Sequence, residues 1–296
     1  MPAKRIDGKA VAEKVRAEVA SEVKDWIASG HAQPGLAVVL VGDDPASATY
    51  VRGKERASLE VGMRSLTRRL PADVTQDQLL TVIGELNADE EIDGFLVQLP
   101  LPDHVDDDTV LHAIDPGKDV DGIHPFNLGL LLGGAPQLAP ATPSGILRLL
   151  AEEGVETRGK HVVICGRSNI VGRPLAGLLL GRGDGGDATV TVCHSRTRDL
   201  ALHTRQADIL VAAMGVPGLI TREMVKPGAV VIDVGTVRVE DASRERGWRL
   251  AGDVALDVRE VASMQTPVPG GVGPMTIAML LKNVMQAARL AAARAR

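Results

Sequence analysis

The stretch KHVVICGRSNIVGRPLAGLLL, residues 160–180, decides the fold. Val162, Val163, Ile164 and Cys165 run without a polar break, which is the mark of a short strand buried on both faces. Gly166 then lets the backbone turn tightly, and Gly172 lets the loop and the following helix approach a phosphate closely. Pro174 suits the first turn of a helix, whose N-terminus offers unpaired N–H groups and the positive end of a dipole to a diphosphate. The glycines stand six residues apart and so depart from the GxGxxG spacing. Taken alone, the loop is also what any strand-to-helix turn requires. Its place at the head of a repeating pattern favours a dinucleotide site over that plain turn.

That pattern continues downstream. Apolar runs at 189–193, 209–213 and 230–234 read as further strands, with helices or turns between them. Strand and helix alternating at this rhythm predict a parallel, doubly wound sheet, a Rossmann-like α/β architecture. An NAD site wants a carboxylate at the end of the second strand, to bind the ribose hydroxyls. Residues 193–198 read CHSRTR instead, with no carboxylate. Ser195 and Arg196, with Arg167 from the loop, form a donor cluster suited to a 2′-phosphate, so the expected cofactor is NADP.

Upstream, Val11, Val15, Val19, Val23 and Ile27 recur every four residues ahead of Gly30, predicting an amphipathic helix and its stop. A strand is expected at 36–41. Asp44 and Pro45 supply an N-cap and an N1 proline for a helix reaching Gly62. Thr75 and Gln78 have capping-box spacing, and 93–99 reads as a strand delivering Gln98 into a proline-rich turn. Residues 101–143 are rich in Pro, Gly and Asp and read as loops lining a site. Helices are expected at 146–153 and 275–296, and an exposed turn at 181–187.

Composition narrows the function. Hydrophobic residues make up 45% and charged residues 24% of the 296-residue chain, an ordinary globular balance. Aromatics at 2% and a net charge of -5 argue against nucleic acid, which wants stacking platforms and basic surface. Cys165 and Cys193 read as buried strand residues rather than a disulfide, and the seven histidines lack ligand spacing, so no metal is expected. The N-terminus has no apolar signal run, and no run reaches the length of a membrane span. A cytoplasmic protein in a reducing compartment is the expectation.

Six segments carry a resemblance. YVRGK (50–54), GFLVQLPLP (94–102), GKDVDGIHPFNLG (117–129), ATPSGI (141–146), GRSNIVGRP (166–174) and TPVPGGVGPMT (266–276) occur in that order. Together they resemble the bifunctional methylenetetrahydrofolate dehydrogenase/cyclohydrolase family over essentially the whole chain. The resemblance implies an α/β fold of two domains with the active site in the cleft between them. The folate-binding catalytic domain would comprise residues 1–141 plus 273–296, and the NADP-binding Rossmann-like domain residues 142–272. It implies oxidation of 5,10-methylenetetrahydrofolate and hydrolysis of the product to 10-formyltetrahydrofolate, in one-carbon metabolism serving purine biosynthesis. A homodimer is implied as well.

The resemblance also carries residue roles. Lys54 would be the central catalytic residue, Tyr50 would stack along the folate, Gln98 would hydrogen-bond the lysine and Asp121 would anchor the pterin. Val51, Leu99, Pro269, Gly270 and Gly271 would complete the substrate site. Gly166, Arg167, Ser168, Ile170, Gly172, Ser195, Arg196, Thr236, Gly273 and Thr276 would hold the cofactor. Ala141 and Thr236 depart from the residues usual in the family, Cys and Ile, and the glycines around Gly185 lengthen one turn. The chain ends at Arg296, too early for the synthetase domain fused in some relatives. Other readings stay open on residues alone: a hydroxy-acid dehydrogenase using His104, His112 or His124, or a non-catalytic dinucleotide-sensing module.

Overall fold

A computed structural model describes residues 2–294. By internal packing the chain forms two compact units, one of residues up to 12 together with 142–276, the other of residues 13–141 together with those from 277 on. The expected division gave residues 1–12 to the other set. They join 142–276 because a short strand, β1 (Lys4–Arg5), adds to that unit's sheet.

From β1 the chain enters α1 (Gly8–Ala28). Val15, Val19 and Val23 are buried as the pattern predicts, whereas Val11 is half-buried and Ile27 is 42% exposed. A strict four-residue repeat gains about 40° per step on a helix of 3.6 residues per turn, so its ends rotate off the core face. Next come β2 (Gly35–Val41), α2 (Pro45–Glu60), β3 (Arg64–Leu70), α3 (Gln76–Ala88) and β4 (Gly94–Val97). The three strands form a parallel sheet in the order β3-β2-β4. Asp44 caps α2 by accepting from Ser47 N at 2.7 Å, and the capping box of Thr75 and Gln78 is complete on α3. β3, RSLTRRL, was not foreseen. Its arginines are tolerated because it is an edge strand, with only Leu66 and Leu70 packed on the core.

Residues expected to be loops contain two short helices, α4 (Asp107–Ala113) and α5 (Pro125–Leu132), capped by Asp106 and His124. The last helix, α9 (Val272–Arg294), returns to this unit beyond Thr276. There Asn283 Nδ2 donates to the carbonyls of Val120 and Ala139, each at 2.8 Å, tying the helix to two loop segments. Asn283→Ala would leave both carbonyls without that partner. The expected cost is about 2–6 kcal/mol, from roughly 1–3 kcal/mol for each of the two unsatisfied groups, read as a shift in the urea midpoint. A change under about 0.5 kcal/mol, within the range of ordinary surface substitutions, would contradict this anchoring.

The other unit continues from β1 with α6 (Ala141–Glu152), which starts five residues earlier than expected, then β5 (His161–Cys165), α7 (Gly172–Leu180), β6 (Thr189–Cys193), α8 (Leu200–Thr204), β7 (Ile209–Ala212) and β8 (Val230–Asp233). A ribbon of β9 (Val237–Glu240) and β10 (Trp248–Ala251) follows, then β11 (Met264–Gln265). The six-stranded sheet runs β1-β11-β8-β7-β5-β6, all parallel. β5, β7 and β8 are buried along their length apart from His161, as continuous apolar runs require when helices cover both faces. Among the described residues, no helix is long and apolar enough to cross a membrane.

Candidate active site

In the unit of residues 13–141, α2 carries Lys54 into the interior, where the residue is only 7% exposed. Its Nζ donates to Gln98 Oε1 at 3.1 Å. Gln98 sits just past β4, with its backbone N–H bonded to Val39 O at 2.8 Å. Its Nε2 donates to Leu99 O at 2.8 Å, which turns Oε1 toward the lysine. Burial pushes the Lys54 pKa below that of an ordinary lysine, and the nearby Asp121 carboxylate works against the shift. Val51, on the same helix, is fully buried; Tyr50 is 47% exposed.

The DVDG segment assigns opposite jobs to its two carboxylates. Asp119 is buried and accepts from Gly122 N at 3.1 Å, His124 N at 2.7 Å and Asn127 Nδ2 at 2.9 Å. Burial nonetheless raises its pKa to about 6. Asp121 is half-buried, and its carboxylate accepts no hydrogen bond from a described residue. Asp119 therefore folds the turn and leaves Asp121 available beside Lys54. The turn is also locked to the sheet: Phe95 bridges Asp119, and a Cβ on Gly94 would meet Val120 Cγ1 at 2.0 Å. Asp119 and Asn127 were missed, since nothing in the spacing separates the structural carboxylate from the presented one.

In the other unit, Gly166 adopts φ 131°, and a Cβ there would meet Ala213 O at 2.2 Å. Gly172 also meets a steric demand that its spacing does not reveal. Its Cβ would lie 2.1 Å from Gly166 O, so it closes the loop on itself, and the six-residue spacing is that closure. Ser168 Oγ accepts from Val171 N at 3.1 Å at the entrance to α7. Arg167 and Ile170 are exposed on the loop.

Past β6, the turn is held by His194 N donating to Thr197 Oγ1 at 2.9 Å and Arg196 N donating to His194 Nδ1 at 3.1 Å. These bonds leave the side chains of Ser195 and Arg196 exposed. Neither Arg167 nor Arg196 forms an ion pair with a described residue. A glycine cradle beneath exposed donors fits a phosphorylated dinucleotide. Thr236 lies exposed just past β8, and Gly270, at φ 100°, and the buried Gly271 form a turn between β11 and α9. Gly273 is exposed, and Thr276 Oγ1 is 2.9 Å from Thr142 Oγ1. Two cavities of about 420 and 530 Å³ in this unit share residues 154–156, away from the loop after β5, and include none of these side chains.

Comparison with known proteins likewise places the buried lysine and the glycine loop in different parts of the chain. The pattern of the tetrahydrofolate dehydrogenase/cyclohydrolase catalytic domain matches residues 6–121, and that of the family's NAD(P)-binding domain matches residues 140–292. The bifunctional protein FolD of Salinibacter ruber is 56% identical, over 97% of this chain and 96% of its own. The crystal structure of the bifunctional FolD methylenetetrahydrofolate dehydrogenase/cyclohydrolase from Campylobacter jejuni superposes with a TM-score of 0.91 at 46% identity, covering 98% and 99% of the two chains. The Trypanosoma brucei enzyme, solved with NADP cofactor and inhibitor, superposes at 0.92 with 43% identity over 99% of each chain. With both domain patterns matched and identities this high over nearly full length, the chain belongs to the tetrahydrofolate dehydrogenase/cyclohydrolase family.

Proposed function

We infer that this chain oxidises 5,10-methylenetetrahydrofolate to the 5,10-methenyl cation with NADP, and hydrolyses that cation to 10-formyltetrahydrofolate. The observation that carries the reading is a buried lysine, hydrogen-bonded to Gln98 and next to the carboxylate of Asp121. When bound, NADP supplies the hydride acceptor. The rest of the chemistry belongs to the chain's own side chains. A charged lysine beside the forming cation would oppose it, so a pKa lowered by burial serves the oxidation. In the hydrolysis, neutral Lys54 accepts a proton from the water attacking the methenyl carbon. It returns one to N5 as the C–N5 bond breaks, and the remaining hydroxyl proton leaves as the formyl carbonyl forms. Gln98 holds the amine in line. Asp121, acceptor-only when ionised, takes the donor edge of the pterin, and Tyr50 lies along the ring system.

Arg167, Ser195 and Arg196 bind the 2′-phosphate, over a loop built from Gly166, Ser168, Ile170 and Gly172. Thr236, Gly273 and Thr276 line the remainder of the cofactor site, while Val51, Leu99, Pro269, Gly270 and Gly271 contact folate. A cytoplasmic homodimer is part of this reading. A paired assay tests it: both steps followed with NADP⁺ and with NAD⁺. Activity in neither step would leave a dinucleotide-sensing role in front. Arg196→Gln is expected to raise KM for NADP⁺ about 10–100-fold with little effect on NAD⁺, as loss of one charge-assisted phosphate contact of roughly 1.5–3 kcal/mol implies. Equal changes with both cofactors would remove Arg196 from this role.

A further inference from the structure

The six-stranded sheet changes direction at β5. The chain leaves β5 for the edge strand β6 and comes back across β5 to reach β7. In open parallel sheets, ligands enter at such a switch point, beyond the carboxyl ends of the strands. The turn after β7, residues 213–216, is therefore one wall of the crevice. The glycine loop forms the other, since Gly166 abuts Ala213 O.

Three successive N–H groups of this turn converge on one carboxylate. Asp253 Oδ2 accepts from Met214 N at 2.5 Å and Gly215 N at 3.0 Å, and its Oδ1 accepts from Val216 N at 2.8 Å. Asp253 is fully buried and is itself held by Asp233, the last residue of β8. Asp233 Oδ1 accepts from Asp253 N at 2.9 Å and Gly235 N at 3.1 Å, and its Oδ2 accepts from Val254 N at 3.1 Å. Thr266 Oγ1 accepts from Asp233 N at 2.7 Å, extending the chain of bonds to within three residues of Pro269. Two glycines make room for the carboxylates. A Cβ on Gly252 would lie 1.9 Å from Asp233 Oδ2, and one on Gly235 would lie 2.3 Å from Asp253 Oδ1.

Neither carboxylate forms an ion pair with a described residue. Burying two neighbouring anions without a cation is costly, and burial together with the Asp253 charge pushes the Asp233 pKa up to about 6. Such expense concentrates where a geometry is needed for function rather than for stability. Successive N–H groups facing one anion form a nest of the kind that binds phosphate. Here the chain fills the nest with its own carboxylate, which fixes the turn before any ligand arrives.

We propose that Asp253 is a positioning residue that preorganises the 214–216 turn for the dinucleotide, and that Asp233 positions Asp253. The proposal rests on the NADP reading above. Its test is NADP⁺ binding by calorimetry to the full-length wild type and to Asp253→Asn, with dinucleotide-free hydrolysis of methenyltetrahydrofolate as the internal reference. In the variant, the Kd for NADP⁺ is expected to rise at least tenfold while hydrolysis stays within twofold. Asp233→Asn is expected to show a smaller rise. Unchanged affinity overturns the proposal, and so does a parallel fall in binding and hydrolysis, which would make Asp253 a general folding residue. A wild type that does not bind NADP⁺ would instead remove the functional reading, and the proposal with it. If Asp253→Asn does not fold, hydrogen exchange on the wild type decides. The amides of Met214, Gly215 and Val216 should be protected before NADP⁺ is added, and exchange at unprotected rates refutes preorganisation.

Discussion

Lys54→Met is expected to abolish hydrolysis of 5,10-methenyltetrahydrofolate, lowering the rate by about 10²–10⁴-fold, the usual contribution of a positioned acid–base group. The variant should fold. The lysine is buried and, among the described residues, its amine donates to Gln98 alone, so an apolar side chain of similar length removes a desolvation cost rather than adding one. The pH dependence gives a second check. Because the folded-state pKa lies below the ordinary 10.5, the wild-type hydrolysis rate should climb with pH and level off as Lys54 loses its proton, below the pH at which an exposed lysine would titrate. The sign of the stability effect follows from the same shift. Between the lowered pKa and 10.5 the unfolded chain binds more protons than the folded one, so stability contributed by this residue rises with pH through that window. The stabilising effect of methionine should therefore be largest below it. Hydrolysis by Lys54→Met at the wild-type rate would refute the assignment.

The second large effect falls on the cofactor loop. Gly166→Ala places a methyl group 2.2 Å from Ala213 O, at a backbone angle of φ 131° that side chains rarely adopt. Neither atom can yield, because Ala213 N donates to Cys165 O at 2.7 Å and so holds β5 and β7 together at that level. The loop must leave its position. Affinity for NADP⁺ should fall more than about 100-fold, with a stability loss of roughly 2–4 kcal/mol, the range of steric and backbone-strain substitutions. Gly84→Ala is the control. That glycine lies inside α3 with nothing within 4 Å of its would-be Cβ, so alanine there should be neutral or stabilising by about 0.5–1 kcal/mol. Tight NADP⁺ binding by Gly166→Ala would mean that the loop is not the cradle.

Signals that act within a few residues were legible in the chain itself. Asp44 with Pro45, Thr75 with Gln78, and Gly30 after a helix each work through the local backbone, and each appears where the spacing places it. The apolar runs of β5, β7 and β8 were legible because burial on both faces leaves no polar alternation to confuse them. β3 was not, because an edge strand is defined by its neighbour β2 and not by its own composition. The two helices at 107–113 and 125–132 hid behind turn-forming residues that turned out to be their caps.

The site divides along the same line. By itself the sequence determined that a strand, a glycine loop and a helix open a parallel sheet, and its ordered motifs named the family and singled out Lys54, Gln98 and Asp121. Only the tertiary structure decided which of two near-adjacent carboxylates would be sealed in, Asp119, and which left beside the lysine. It alone showed that Gly172 closes the loop on Gly166, and that Asp253 reaches back 37 residues or more to hold the turn after β7. The physical reason is that propensity and capping are local energies, written in neighbouring residues. Desolvation and hydrogen-bond partnership depend on what the fold brings near, and they decide how each side chain of the candidate site is aimed.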